Sequence, residues 1–402
     1  MKTLKRILLS LIALIVVAGA IGWFSLDKET RGLIATFPTN RDLLFWSQKQ
    51  RDAAFRAMDR ISLLAKWHTA QPSAQPRPLP EGKPLKLGLD LDAFMQGQHS
   101  AAVIVLQDGE IRLERYGLGF DKDGRWTSFS VAKSFTSTLV GAALKDGLIK
   151  SMDDKVSDYL TDMKGSAYDD VTVKQLLTMT SGVKWNEDYG DPSSDVARFN
   201  NHVPEPGVDS LVSYMRKLPR AAPAGTHWNY STGETNLVGL MLMAAIKKPL
   251  TEYLQEKIWQ PAGMAQQATW LLSKSGKEIS GCCLQAAPRD FARMGQFILE
   301  GAMVQGQSIV SDGWLKAATS KQADIGQPGR GYGYQWWTYD DGTFAARGIF
   351  GQGIFIDPAR QLVIAVNADW DKAGAANNPA SDAREAFYQA VRKAVDDEAA
   401  AR

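Results

Sequence analysis

Cysteine is almost missing from this sequence. Its 402 residues contain two, Cys282 and Cys283, side by side. No cysteine pair has zinc-site spacing, and the four histidines (His68, His99, His202, His227) are scattered. No metal and no cofactor is therefore expected. The two cysteines read as small buried apolar residues, with a strained disulfide between neighbours as the alternative in an oxidising compartment. A surplus of one charge is missing too. Lys and Arg number 46, Asp and Glu 44, and the formal net charge is +2. Without a basic stripe or basic-aromatic interleaving, nucleic acid is set aside as a partner.

Long apolar runs are scarce, and the one present is at the N-terminus. Ile7 to Phe24 carries no charge; Lys2, Lys5 and Arg6 precede it and Asp27-Lys28-Glu29 ends it. That order implies export with the basic end left inside. The favoured reading is a single uncleaved anchor in the inner membrane, over residues 1–25, with the rest in the periplasm. A signal peptide cleaved near Ala18-Gly19-Ala20 competes, and would leave a soluble periplasmic or secreted protein. Residues 26–85 follow as a second segment. Arg41 to Lys66 carries Leu43, Leu44, Trp46, Phe55, Met58, Ile61, Leu63 and Leu64 among charges, which predicts one or two amphipathic helices. Prolines at 72, 76, 78, 80 and 84 then make an extended connector. The main domain is placed at 86–398.

Two hairpins bracket that domain. Ala101–Leu106 and Ile111–Tyr116 flank an Asp108-Gly109 turn; Gly353–Ile356 and Leu362–Val366 flank Asp357-Pro358-Ala359-Arg360. A helix from Ser381 to Ala399 closes the chain. Strands at both ends around a long helical middle, about 134–330, predict an α+β fold in which the two ends share one antiparallel sheet.

The chemistry centres on Ser130-Val131-Ala132-Lys133, a Ser-x-x-Lys at the start of a helical run to Leu144. Positions i and i+3 share a helix face, so hydroxyl and amine can meet. Serine needs a base to become a nucleophile, and lysine is one only where burial lowers its pKa. The apolar neighbours Phe129, Val131, Ala132, Phe135 and Leu139 suit such burial. The competing reading is a helix cap followed by a surface lysine. Further on, Thr172 is a plausible cap for a helix ending near Gly182. Tyr230-Ser231-Thr232 lies on a loop before a helix at Leu237–Ala245, where a phenol can carry protons if cations lower its pKa. Trp336 and Trp337 read as strand core, and His227 as structural.

In their order, Phe129-Ser130-Val131-Ala132-Lys133-Ser134-Phe135-Thr136-Ser137, Leu177 to Trp185, Tyr230-Ser231-Thr232 and Gly351 to Pro358 resemble the serine β-lactamase and penicillin-recognising superfamily. The match is nearest its class C and esterase-like branch and, within that, the 6-aminohexanoate-dimer hydrolase group; it covers about residues 50–395. The resemblance implies a β-lactamase/transpeptidase-like fold. It implies a serine hydrolase with Ser130 as nucleophile, Lys133 as general base and Tyr230 as proton shuttle. The N–H groups of Ser130 and Ile349 correspond to the oxyanion hole. Trp185, Glu187 and Tyr189, after the Thr180-Ser181-Gly182 turn, and Gly348 on the edge strand are the implied substrate-side residues.

Two departures from the family pattern bear on substrate. Its Tyr-x-Asn is Tyr230-Ser231-Thr232 here, which lacks the amide that binds a substrate carbonyl. Its Lys/His-Thr-Gly is Ala346-Arg347-Gly348, which lacks the first-position cation that helps bind a substrate carboxylate. Both favour an ester or short amide as the small-molecule substrate. A β-lactamase or D,D-peptidase-like enzyme is the alternative, and a non-catalytic, membrane-anchored binding protein of the same fold the third reading.

Overall fold

The computed structural model describes residues 2–26, 28–40, 42–60 and 65–401. Thirteen strands occur among them: β1 (Trp67–Ala70), β2 (Ser100–Gln107), β3 (Glu110–Tyr116), β4 (Trp126–Thr127), β5 (Ala268–Leu271), β6 (Leu284–Ala286), β7 (Met303–Val304), β8 (Gln307–Ser308), β9 (Arg330–Tyr332), β10 (Trp337–Tyr339), β11 (Phe344–Arg347), β12 (Gly353–Asp357) and β13 (Leu362–Ala368). Seven form an antiparallel sheet in the order β3-β2-β13-β12-β11-β10-β9. The N-terminal hairpin thus shares a sheet with the C-terminal strands, as the sequence predicts, and the two join through β2 and β13. Asp108 and Gly109 both have positive φ, 52° and 79°, the conformation a tight hairpin turn demands. The arrangement is the expected α+β one.

The central strands are apolar on both faces because both faces are covered. Val103, Val105, Ile364 and Val366 join a cluster that includes Phe387, Tyr388 and Val391 of the closing helix, Pro379–Ala400. Ile104, Leu106, Val363 and Ala365 enter the larger cluster with Phe291 and Met294 of the helix Pro288–Leu299. The middle of the chain supplies the helices Ala132–Lys145, Thr232–Ile246 and Pro288–Leu299. It also contributes to an unanticipated second sheet, β1-β5-β6-β4.

The segment before the main domain departs from its predicted helices. Only Gln48–Phe55 is α-helical between Asp42 and Arg60; Leu43–Phe45 is one 3₁₀ turn and Trp67–Ala70 is β1. Arg41, Ile61, Leu63 and Leu64 lie outside the described residues. The helix packs by its C-terminal end, with Ala54 and Phe55 fully buried, and β1 pairs with β5. Here tertiary contacts override an amphipathic pattern. The proline-rich connector runs extended along β3: Ile111 N–H donates to Pro80 O at 2.8 Å, and Gly82 N–H to Ile111 O at 2.9 Å.

The cysteines are also corrected. Cys282 and Cys283 are joined to each other in a disulfide, so they are not two separate thiols. At the N-terminus, Lys2–Ser25 is helical. Its stretch Thr3–Ser25 is long and apolar enough to cross a membrane, and none of its most apolar window is buried against the rest of the protein. An anchor and a signal sequence both have this form.

Candidate active site

The approach to Ser130 is built by β4. Ser128 prolongs its pairing with β6: Ser128 N–H donates to Leu284 O at 2.8 Å, and Leu284 N–H to Ser128 Oγ at 3.1 Å. The chain then turns sharply at Phe129, whose φ of +42° is left-handed. A bulky residue there costs about 1–3 kcal/mol and persists only when its surroundings hold it. The holders are aromatic. Phe55 lies 4.7 Å and Phe350 5.1 Å from the Phe129 ring, centroid to centroid. Ser130 follows in the 3₁₀ turn Phe129–Val131 and retains 7% exposure. Lys133 stands in the first turn of the helix Ala132–Lys145.

Lys133 is 1% exposed. Its Nζ donates to Thr232 Oγ1 at 3.0 Å and to the Gly281 carbonyl at 2.9 Å. Burial pulls its pKa down to about 8, against the pull of Glu187, which favours the ammonium. The two acceptors come from distant segments. Thr232 opens the helix Thr232–Ile246, which Ser231 caps through Glu234 N–H; this helix begins five residues before the predicted Leu237. Gly281 lies between β5 and β6, its N–H on Asn236 Oδ1 at 2.8 Å. The Thr172-capped helix, Val173–Leu177, ends five residues short of Gly182. Met179 there already has φ +55°.

Tyr230 joins this pair. The Lys133 Nζ is 5.3 Å from its ring centroid, and the Ser130 side chain acts on its hydroxyl, favouring the ionised form. The expected lowering of its pKa by cations does not occur. Burial first, then the charge of Glu187, push it well above the ordinary tyrosine value, so it stands as a neutral phenol. Trp337 stacks on it at 5.5 Å and 24°, and Trp228 and Tyr332 sit 6.2 and 6.1 Å away. The sequence reads Trp337 as strand core and does not single out Trp228 or Tyr332. The aromatic density around Tyr230 and in the stretch 332–337 was the available signal. Trp336 is core, at 1% exposure, and His227 is exposed.

Glu187 is brought into the same site. Its carboxylate accepts Thr232 N–H at 2.9 Å, the Tyr189 hydroxyl at 3.0 Å, the Thr232 hydroxyl and the Trp185 indole N–H. Trp185 itself is 5% exposed, packed on Phe199 and Tyr214. Tyr189 is half-buried against Gly374 in the loop after β13, and Gly374 N–H donates to Ile349 O at 2.7 Å.

The sequence places Ala346-Arg347-Gly348 on an edge strand, but β11 lies between β12 and β10, and β9 and β3 are the edges of the sheet. Ala346 is buried and offers no cation. Arg347 is committed to the closing helix: its Nη2 donates to Glu385 Oε1 at 2.7 Å and also contacts the Tyr339 hydroxyl. Gly348 permits a close approach, since a Cβ there would stand 3.0 Å from the Ser128 carbonyl. Among the described residues, neither Ser130 N–H nor Ile349 N–H donates to a protein acceptor.

One group has ligand atoms close enough for a metal among the described residues, Asp52, His99 and Asp369, all within 4.8 Å. It is already an ion-pair network. His99 Nε2 lies 3.0 Å from Asp52 Oδ2, and Arg51 Nε donates to Asp369 Oδ1 at 2.6 Å.

A sequence model of the beta-lactamase family matches residues 90–387. The 6-aminohexanoate-dimer hydrolase of Paenarthrobacter ureafaciens is 28% identical over 296 residues, 70% of this chain and 75% of that protein. A beta-lactamase of Pseudomonas fluorescens is 27% identical over 184 residues, 43% of this chain and 47% of its own length. The solved structure of a putative 6-aminohexanoate-dimer hydrolase from Bacillus anthracis superposes with a TM-score of 0.73 at 18% identity, covering 89% of this chain and 96% of that one. With a match over most of its length and this fold, the chain belongs to the beta-lactamase family and is a serine hydrolase.

Proposed function

We propose that the protein hydrolyses esters or short linear amides through an acyl-enzyme on Ser130. The observation that carries this reading is the buried Lys133 amine, held by Thr232 and Gly281 with its pKa near 8, one helical turn from Ser130 and beside Tyr230. Neutral Lys133 takes the Ser130 proton as Oγ attacks the carbonyl carbon. The oxyanion is received by the free N–H groups of Ser130 and Ile349, each such donor worth about 3 kcal/mol to the transition state. As the C–O or C–N bond breaks, Tyr230, a neutral phenol, gives its proton to the leaving group and is reprotonated from Lys133. Water then attacks the ester on Ser130, and the same groups return the proton in reverse order.

The missing cation at Ala346 and the engagement of Arg347 with Glu385 speak for a substrate without an essential carboxylate beside β11. This separates the proposal from a β-lactamase or D,D-peptidase. The N-terminal helix and the disulfide between Cys282 and Cys283 support action outside the cytoplasm, on an inner-membrane anchor or after signal cleavage. The test is one purified sample offered p-nitrophenyl esters, linear amide dimers and a chromogenic cephalosporin, alongside Ser130→Ala. Turnover of esters or amides, lost by at least about 10³-fold in the variant, is expected. Full activity in Ser130→Ala overturns the reading, and preferential turnover of the cephalosporin replaces it with the β-lactamase one.

A further inference from the structure

Glu187 is the carboxylate at the heart of the site, and its geometry is not that of a group waiting for a ligand. A carboxylate has about four lone-pair positions. Four donors fill them: the Trp185 indole, the Tyr189 hydroxyl, and both the N–H and the hydroxyl of Thr232. Nothing remains for a substrate amine or amide. The Thr232 hydroxyl has one proton, and an ionised carboxylate can only accept, so that proton points at Glu187. The oxygen's lone pair therefore faces Lys133, whose Nζ is the donor at 3.0 Å. The chain Lys133 → Thr232 → Glu187 has a fixed direction.

We infer that Glu187 is a positioning residue for the hydrolytic reaction: through the Thr232 hydroxyl it stabilises the Lys133 ammonium formed when the amine takes the serine proton. The inference rests on the function proposed above for Ser130 and Lys133. It gives Thr232 a purpose at the place where the family's Tyr-x-Asn carries an amide: a hydroxyl can accept from the amine and donate to the carboxylate at once. It also fits the charge balance. Among the described residues, no carboxylate lies within ion-pair distance of Lys133. The charged group that acts on it is Glu187, which favours the cation. The other titratable groups facing this pair are Tyr230, Tyr189, Tyr332 and Glu234; the three phenols stay neutral, held far above the usual tyrosine range by burial.

The test is the pH dependence of kcat/KM on a p-nitrophenyl ester, and of Ser130 labelling by a fluorophosphonate, in Glu187→Gln, Thr232→Val and Thr232→Ser. Loss of the relay weakens the hold on the cation. The acid limb of both profiles is then expected to move to lower pH by about one unit in Glu187→Gln and in Thr232→Val, with KM changed less than threefold. Thr232→Ser keeps a hydroxyl and should keep the wild-type limb. The double variant should shift no further than either single one, because both cut the same path. An unmoved limb in Thr232→Val overturns the inference even if Glu187→Gln fails to fold. So does a Glu187→Gln protein whose limb is unmoved while KM rises tenfold or more, which would make Glu187 a substrate ligand. Either result leaves the roles of Ser130 and Lys133 intact, since those stand or fall with Ser130→Ala.

Discussion

The Phe55 ring meets the Phe129 ring edge to face, their centroids 4.7 Å apart and their planes at 69°. Phe55 ends the helix Gln48–Phe55, while Phe129 carries the left-handed turn into Ser130. The helix Gln48–Phe55 therefore buttresses the backbone that leads into Ser130, the proposed nucleophile. Phe55→Ala removes a fully buried ring, and a loss of about 3–5 kcal/mol is expected in denaturant unfolding. With its brace gone, Phe129 can relax its φ. kcat, measured at a temperature where the variant is still folded, should fall by about tenfold, a cost of about 1.4 kcal/mol. A variant that loses stability but keeps kcat would show that Phe350 alone suffices.

In the proposed role of base Lys133 can act only when neutral, and burial pulls its pKa down to about 8. Below that pH the ammonium predominates. kcat/KM should accordingly rise tenfold per pH unit well below 8 and level off above it. A profile measured from pH 5.5 to 9.5 with a neutral ester checks this. A flat profile across pH 6 to 9 would remove Lys133 from the role.

Tyr230→Phe should separate leaving groups. The phenol is a neutral donor, and a poor leaving group such as an amine needs its proton while p-nitrophenolate does not. Amide turnover is expected to drop by about 10²–10⁴-fold and p-nitrophenyl ester turnover by less than about tenfold. The ring's stacking on Trp337 survives the substitution, so stability should change little. Equal losses on both substrates would argue for a structural phenol.

Glu234 offers a test independent of turnover. It is 2% exposed and accepts from the Ser181 hydroxyl and, at 3.3 Å, from the Tyr168 hydroxyl. Burial, and then the charge of Glu187, push its pKa up from 4.5 to about 8, against the pull of those two hydrogen bonds. The folded protein thus holds a proton that the unfolded chain releases above pH 4.5. This stabilisation is complete below 4.5 and is lost as pH rises toward 8. Glu234→Gln stays neutral at every pH. The wild type should lose on the order of 2–4 kcal/mol more than the variant between pH 5 and 7.5, read from chemical unfolding at both values. Parallel losses in the two proteins would place the titration elsewhere.

Much of the fold was legible because its signals are short-range. Asp108-Gly109 closes a hairpin by its own conformational preferences, and Thr172 caps a helix within three residues. That the two terminal hairpins share one sheet is legible from strands at both ends of the chain; that they join through β2 and β13 is not. The β1-β5-β6-β4 sheet was not legible, because its strands are two to four residues long and their pairing is set by packing. The Gln48–Phe55 helix is shorter than its apolar pattern, and the adjacent cysteines close on each other.

By itself the sequence determined which groups exist and which are local neighbours. Ser130 and Lys133 are three residues apart, a spacing that brings their side chains to one face wherever the chain turns helically. Only the tertiary structure decided that the amine is buried, that its acceptors are Thr232 and Gly281, that Glu187 stands behind Thr232, and that Arg347 turns to Glu385. The physical reason is that desolvation and counter-charge depend on what surrounds a group in space. Segments about 40 to 150 residues away along the chain provide those surroundings here, and residue spacing carries no record of them.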